Sequence, residues 1–180
     1  MKIFIIFLFI FSFVSQAQSS QQKNLNNLFS QLQNINNSKS AALLEKKIWS
    51  IWNEHPNDFK LTEKLEFGTE LMQYGDYNYA LKVFSNVLEN DPNWSEAWNK
   101  RATVYFLMNQ LKKSLDDIDK VLYIEPRHFG ALSGQARIFI KLQQYEKAIK
   151  SIEQALKFYP SFKSRELIPE IERLIREDSI

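Results

Sequence analysis

The sequence predicts an all-α protein, and three observations carry that prediction. Four glycines and five prolines in 180 residues are too few to supply the turns of a β-sandwich or barrel, and no alternation of strand and helix patterns appears. Apolar residues recur at intervals of three and four, the period of a helix with one buried side. Three consecutive stretches, 61–94, 95–128 and 129–162, lie over one another without a gap and align Pro92, Pro126 and Pro160. A chain of this length suits one modest helical domain.

Charge and cysteine content remove several functional classes. Lys plus Arg total 23 against 21 for Asp plus Glu, a formal +2, far from the basic footprint of a nucleic-acid binder. With no cysteine there is no disulfide, zinc-thiolate site or thiol nucleophile, and the fold must stand on packing.

Residues 1–17 read as a secretory signal peptide. Met1-Lys2 gives a positive start, Ile3 to Val14 is apolar except for Ser12, and Ser15-Gln16-Ala17 places small residues two positions apart before a cleavage point. The rival, a membrane anchor, needs roughly 20 apolar residues, and Ser15, Gln16 and Gln18 interrupt the run too early. Cleavage after Ala17 removes Lys2 and leaves 22 against 21, a side-chain charge of +1. The expected product is exported, periplasmic or secreted, with no stable membrane insertion. Export without disulfides points to a bacterial source.

Residues 18–60 form a polar N-terminal segment. Gln18 to Ser40 is rich in Gln, Asn and Ser, the composition of a linker. Within it Leu25, Leu28, Phe29, Leu32 and Ile35 keep helical spacing. A turn at Asn36, Asn37 and Ser38 follows, then a second helix from Ala41 to Trp52 with Leu43, Leu44, Ile48, Ile51 and Trp52 apolar, capped by Ser38 or Ser40. His55-Pro56-Asn57-Asp58 ends it, since a proline disfavours helix in the residue before it. Two antiparallel helices are expected, covering the front of the repeats.

In the three aligned stretches the columns are mechanical. Gly68, Ala102 and Ala136 coincide, as do Ala80, Ser114 and Ala148, then Phe84, Ile118 and Ile152, and Leu88, Leu122 and Leu156. Small residues belong where two helices approach most closely, bulky ones fill the space beside them, and proline stops the second helix. A period of about 34 with this order is the signature of a helix-turn-helix array.

On these residues the chain resembles the tetratricopeptide repeat family across residues 61–162. Trp98, Ala102, Tyr105, Ser114, Ile118, Val121 and Pro126 occupy the family's pattern positions in the second repeat, and Leu132, Ala136, Phe139, Ala148, Ile152, Ala155 and Pro160 in the third. Gly75-Asp76-Tyr77 is the family's usual turn between paired helices, with Asn109-Gln110-Leu111 and Gln143-Gln144-Tyr145 as poorer versions. The segments 98–103 and 125–132 further resemble secreted bacterial repeat proteins of unassigned role. The resemblance implies first helices at Leu61–Tyr74, Ser95–Met108 and Phe129–Leu142. The second helices fall at Tyr77–Glu89, Leu111–Tyr123 and Tyr145–Phe158, all stacked in a right-handed superhelix (α-solenoid). Residues 163–180 close the array with a capping helix, Ser164–Glu177, its Leu167, Ile171, Leu174 and Ile175 inward and Glu170, Glu172, Arg173 and Arg176 outward.

The resemblance also implies a concave face lined by the first helix of each repeat: Thr62, Leu65, Thr69 and Met72, then Glu96, Asn99, Lys100, Thr103 and Phe106, then Ser133, Arg137, Ile140 and Lys141. From these and the adjoining corner, Asn99, Lys100, Thr103, Phe106, Arg127, Ser133, Arg137 and Lys141 are the candidate partner-binding residues. Amide, hydroxyl, basic and aromatic groups together suit a protein or extended peptide partner. The alternative is a structural or assembly subunit of a cell-envelope complex, docking through its convex face or N-terminal helices. One family subclass grips the carboxylate ends of chaperone tails; its positions here hold Leu65, Thr69, Lys100, Gly130 and Gly134, so that activity is not carried over.

Two side chains stand out. Arg101 falls where the family buries leucine, so its guanidinium must snorkel or find Asp116, Asp117 or Asp119. It could instead join Lys100, Arg127 and His128 in a basic spot for an acidic segment; on either view Arg101→Leu is expected to leave the fold intact or firmer. Trp94 either closes the junction between repeats or stands exposed as an anchor, while Trp49, Trp52, Phe84, Trp98, Tyr105 and Phe139 are expected to be packing. No enzyme is expected: Ser133, His128 and Asp117 can be drawn as a triad, but nothing local orients the histidine. No cofactor or metal spacing is present.

Overall fold

The computed structural model describes residues 20–35 and 37–178. The leader predicted over 1–17 and Asn36 of the predicted turn lie outside the described residues. Among the described residues there is no strand, and no helix is long and apolar enough to cross a membrane. The chain divides into two compact units, one up to Glu63 and one from Lys64.

In the first unit, α1 (20–34) and α2 (Ser38–Asn53) form the expected pair. Leu25, Phe29 and Leu32 from α1 and Ala41, Leu44, Ile48 and Trp52 from α2 are buried. The Gln21 side chain donates to the carbonyls of Ile51 and Glu54 at 3.0 Å each, so the start of α1 lies beside the end of α2. The helical period thus overrides a linker composition. Two details differ from expectation. The cap of α2 is Asn37, whose side chain accepts from the Ser40 amide at 3.0 Å, because an amide oxygen one residue before the helix reaches that N–H better than a serine already inside it. Leu43 is exposed, one position off the buried stripe. The His55 ring accepts from the amides of Asn57 and Asp58, and Asp58 caps α3 through the Lys60 amide.

α3 (Phe59–Gln73) begins two residues earlier than predicted for that reason. With α4 (Tyr77–Asn90), α5 (Ser95–Leu107), α6 (Leu111–Ile124), α7 (Phe129–Lys141) and α8 (Tyr145–Phe158) it gives three hairpins.

The same two corners recur. Inside each hairpin a residue of positive φ ends the first helix: Gly75 at 84°, Asn109 at 59° and Gln143 at 57°. Just after each, the amide of the next residue bonds back five residues, Asp76 to Leu71 (2.9 Å), Gln110 to Tyr105 (2.8 Å) and Gln144 to Phe139 (2.8 Å), the Schellman arrangement. Between hairpins, Asp91, Glu125 and Tyr159 leave the helical region just before the prolines, with φ of −139°, −131° and −137°. The three prolines therefore occupy equivalent corners.

Packing follows the columns. Ala102, Ala136, Ala80, Ser114, Ala148, Phe84, Ile118 and Ile152 are all buried. Ser114 stands in an alanine column because its hydroxyl donates to the Ala102 carbonyl at 2.7 Å across the hairpin, which satisfies the hydroxyl without water. Gly68 is a glycine for a spatial reason: a Cβ there would lie 2.6 Å from the Phe84 ring. Where the second and third repeats have alanine, the facing residue is the smaller isoleucine.

The closing segment is not one helix. A 3-10 turn, Lys163–Leu167, precedes α9 (Ile168–Asp178). Pro169 lacks an N–H and fits only the first turn of a helix, so α9 must start beside it. Ile171 is buried with Ala136, Ala148 and Ile152, and Leu167, Ile168 and Ile175 pack against that cluster.

Candidate functional site

α5, α7 and the corner joining α6 to α7 carry all eight predicted site residues. Each helix begins on a cap residue in one register: Trp94 before α5, His128 before α7. Trp94 is buried, so it closes the junction between repeats, and Trp98 donates its indole N–H to the Pro92 carbonyl at 2.8 Å.

Beneath this face lies a cluster that sequence reasoning placed differently. Glu96, expected on the concave surface, is fully buried. One of its oxygens lies 2.9 Å from His128 Nε2 and accepts from the Asn99 amide at 3.1 Å; the other sits 3.2 Å from the Lys100 ammonium. The His128 Nδ1 accepts from the Ala131 amide at 3.1 Å. That nitrogen is therefore unprotonated and Nε2 carries the proton toward Glu96. Burial opposes ionisation of Glu96, but the His128 hydrogen bond and the Lys100 charge outweigh it and hold its pKa below the ordinary glutamate value. The repeat register alone could have found this pair: Glu96 opens one first helix and His128 caps the next.

Arg101 finds one of its three candidate partners. Its Nε and Nη2 each donate to Asp117 at 2.8 Å, Nη1 donates to Ser85 at 3.1 Å, and the guanidinium carbon stands 4.7 Å over the Trp98 ring. Hydrogen bonding to Asp117 raises the guanidinium pKa further above its usual value. Arg127, in the corner outside both helices, is held by both oxygens of Glu125 at 2.7 Å each. The basic spot expected from Lys100, Arg101, Arg127 and His128 therefore does not form: every member already faces a carboxylate. The drawn triad also comes apart, since Ser133 meets Ser164 at 2.9 Å, His128 meets Glu96 and Asp117 meets Arg101.

The remaining residues share an exposed surface. Thr103 is exposed and donates to the Asn99 carbonyl at 2.9 Å. Phe106 is half-buried against the core shared by the second and third repeats. Arg137 and Lys141 are exposed, and the Lys141 ammonium lies 5.8 Å from the centre of the Phe106 ring. Thr62 and Leu65, predicted for the same face in the first repeat, are buried. No group of three or more His, Cys, Asp and Glu able to hold a metal occurs among the described residues.

Equivalent hairpins with reactive groups tied up inside and mixed polar and aromatic groups outside define a repeat-built helical scaffold. Profiles of the tetratricopeptide repeat match residues 95–128 and 129–162. A TPR repeat-containing protein of Rhizobium etli is 33% identical over 145 residues, 81% of this chain and 71% of the relative. The chain belongs to the tetratricopeptide repeat family. Hsp70-Hsp90 organizing protein 3 of Arabidopsis thaliana is 25% identical over 115 residues, which are 64% of this chain but 20% of the plant protein. The chain thus spans about a fifth of that relative. Among solved structures, the first TPR of Spaghetti (RPAP3), bound to the HSP90 peptide SRMEEVD, superposes with a TM-score of 0.62 at 21% identity, over 65% of this chain and 94% of that one. The Yersinia enterocolitica type III secretion chaperone SycD, in complex with a peptide of the translocator YopD, gives 0.58 at 14% over 69% and 95%. At such identities these two structures speak for the fold alone.

Proposed function

We propose that this chain is an interaction module that holds a protein or extended peptide on the concave face, lined by the solvent-facing side chains of α5 and α7. The carrying observation is the contrast within those helices. Glu96, His128 and Arg101 are consumed by internal pairs and the Asn99 and Thr103 donors by local hydrogen bonds, while Phe106, Arg137 and Lys141 present apolar and cationic groups beside the remaining oxygens of Asn99 and Thr103. Such a surface suits a backbone that needs polar partners and side chains that need shallow apolar footholds. Peptides bound by RPAP3 and SycD support this use of the fold. The chaperone-tail grip is not part of the proposal, because Leu65 is buried, Thr69 donates to the Leu65 carbonyl and Lys100 is held by Glu96.

With the leader read from residues 1–17, the module works beyond the inner membrane, in the periplasm or outside the cell. A pull-down from the envelope fraction with the native protein and with Asn99→Ala/Arg137→Ala tests the assignment. Partners lost with the variant support it; the same partners on both refute it. An assembly role is favoured by one feature, the exposed Phe67 and Tyr79 rings in edge contact at 5.8 Å with exposed Tyr74 nearby in sequence. Light scattering separates the two: a monomer favours transient capture, a stable oligomer favours assembly.

A further inference from the structure

Once the internal pairs are subtracted, the charge on the α5 and α7 face is one-sided. α5 holds a single carboxylate, Glu96, and α7 holds none. Glu96 is buried among His128, Asn99 and Lys100. Of the cations on the two helices and the corner, Lys100 is held by Glu96, Arg101 by Asp117 and Arg127 by Glu125. Arg137 and Lys141 are left. Both are exposed, and neither has a carboxylate within ion-pair distance among the described residues.

Their spacing selects a ligand geometry. Residues four apart share one side of a helix and are separated by about 6 Å along its axis. In an extended peptide, side chains two apart share one side and are separated by about 6.6 Å. Carboxylates at alternate positions of a strand-like segment therefore match Arg137 and Lys141, and like charges at this helical spacing repel until an anion arrives. The Arg137 fork accepts a carboxylate by two parallel hydrogen bonds. Beside Lys141 the half-buried Phe106 ring offers an apolar contact.

Resting on the interaction-module reading, we propose that the partner segment is acidic, extended and internal to its chain. Its alternate carboxylates meet Arg137 and Lys141, and a neighbouring apolar side chain covers Phe106. A chain-end carboxylate is not the determinant, since the positions that would hold one carry Leu65, Thr69, Gly130, Gly134 and the engaged Lys100.

Fluorescence anisotropy on the purified protein tests this with three labelled peptides of roughly ten residues. The first alternates glutamate and leucine and is amidated at its C-terminus, the second replaces glutamate by glutamine, and the third is the glutamine peptide with a free carboxylate. The glutamate peptide is expected to bind about tenfold or more tighter than the amidated glutamine peptide, with an advantage that shrinks as salt rises. Arg137→Gln/Lys141→Gln is expected to abolish that advantage, whereas Lys112→Gln/Lys120→Gln, which removes equal charge from α6, is expected to keep it. Equal binding of the two amidated peptides overturns the acidic preference while leaving an interaction module standing. Tighter binding of the free-carboxylate peptide overturns the internal-segment claim, equal loss in both charge variants shows net charge alone, and no binding of any peptide also overturns the proposal. The pull-down decides the broader reading independently.

Discussion

In the second hairpin, positions 101 and 117 hold a guanidinium and a carboxylate joined by two hydrogen bonds of 2.8 Å. In the third hairpin the corresponding positions hold Gln135 and Ser151, joined by one of 2.8 Å. In the first they hold Phe67, packed edge-on against Tyr79, and Val83. The corners around these pairs repeat to within about ten degrees at the inter-hairpin turn. A repeat frame therefore accepts an ionic or a neutral polar pair in one slot, and in the first repeat does without a polar pair, its exposed Phe67 turning to Tyr79 instead. The same lesson holds at the helix crossing, where Gly68 with Phe84 equals Ala136 with Ile152 in bulk.

The largest break in that equivalence is predicted for Arg101→Leu. Asp117 is buried, and removing its partner strands a charge, a loss of about 3–5 kcal/mol. The sequence-based expectation was an intact or firmer fold; with Asp117 buried as the partner of Arg101, a loss is predicted in its place. Transplanting the third repeat's pair, Arg101→Gln/Asp117→Ser, is expected to recover most of the loss in urea denaturation.

The junction cluster should show next. Glu96→Gln is expected to destabilise by about 2 kcal/mol at neutral pH through loss of charged hydrogen bonding. Because the folded pKa of Glu96 is depressed, its contribution is complete above the unfolded value of 4.5 and is lost as the pH falls through the folded value. Urea midpoints measured from pH 6 downward should therefore fall more steeply for the native chain than for Glu96→Gln; parallel curves would contradict the pairing.

Gly68→Ala drives a methyl into the Phe84 ring and is expected to lower stability by about 1–2 kcal/mol. Adding Phe84→Ile makes this crossing like the other two and should restore it, as a double-mutant cycle by thermal melting would show. The smallest effect runs the other way: Gln143→Gly, at a φ of 57°, is expected to stabilise by about 1 kcal/mol. A melting temperature that falls instead would mean the Gln143 side chain makes contacts worth more than the strain.

Much of the frame was legible because each column records a steric demand. Proline marks where a helix must stop, a small residue where two helices touch, and Gly75 where the backbone turns left-handed, so Asn109 and Gln143 could be placed by register. The exposure of Thr103, Arg137 and Lys141 followed from the same register once the family resemblance named the face. Periodicity fixes the direction a side chain leaves a helix, however, and not its partner. It left Asp116, Asp117 and Asp119 equivalent for Arg101, placed Glu96 outward when it points between repeats, and gave no hint that Arg127 would be claimed by a residue two positions away. The Asn37 cap was missed because it depends on one hydrogen bond rather than on a pattern, and the break before Pro169 because the apolar period was followed through a proline that a helix admits only in its first turn.

The central claim is that the face of α5 and α7 holds the partner. A photo-crosslinking amino acid at Thr103, and separately at exposed Lys120 on α6, tests it on the partner retained in the pull-down. Crosslinks from Thr103 and none from Lys120 are predicted. Crosslinks from Lys120 alone, or equal yields from both positions, would contradict it.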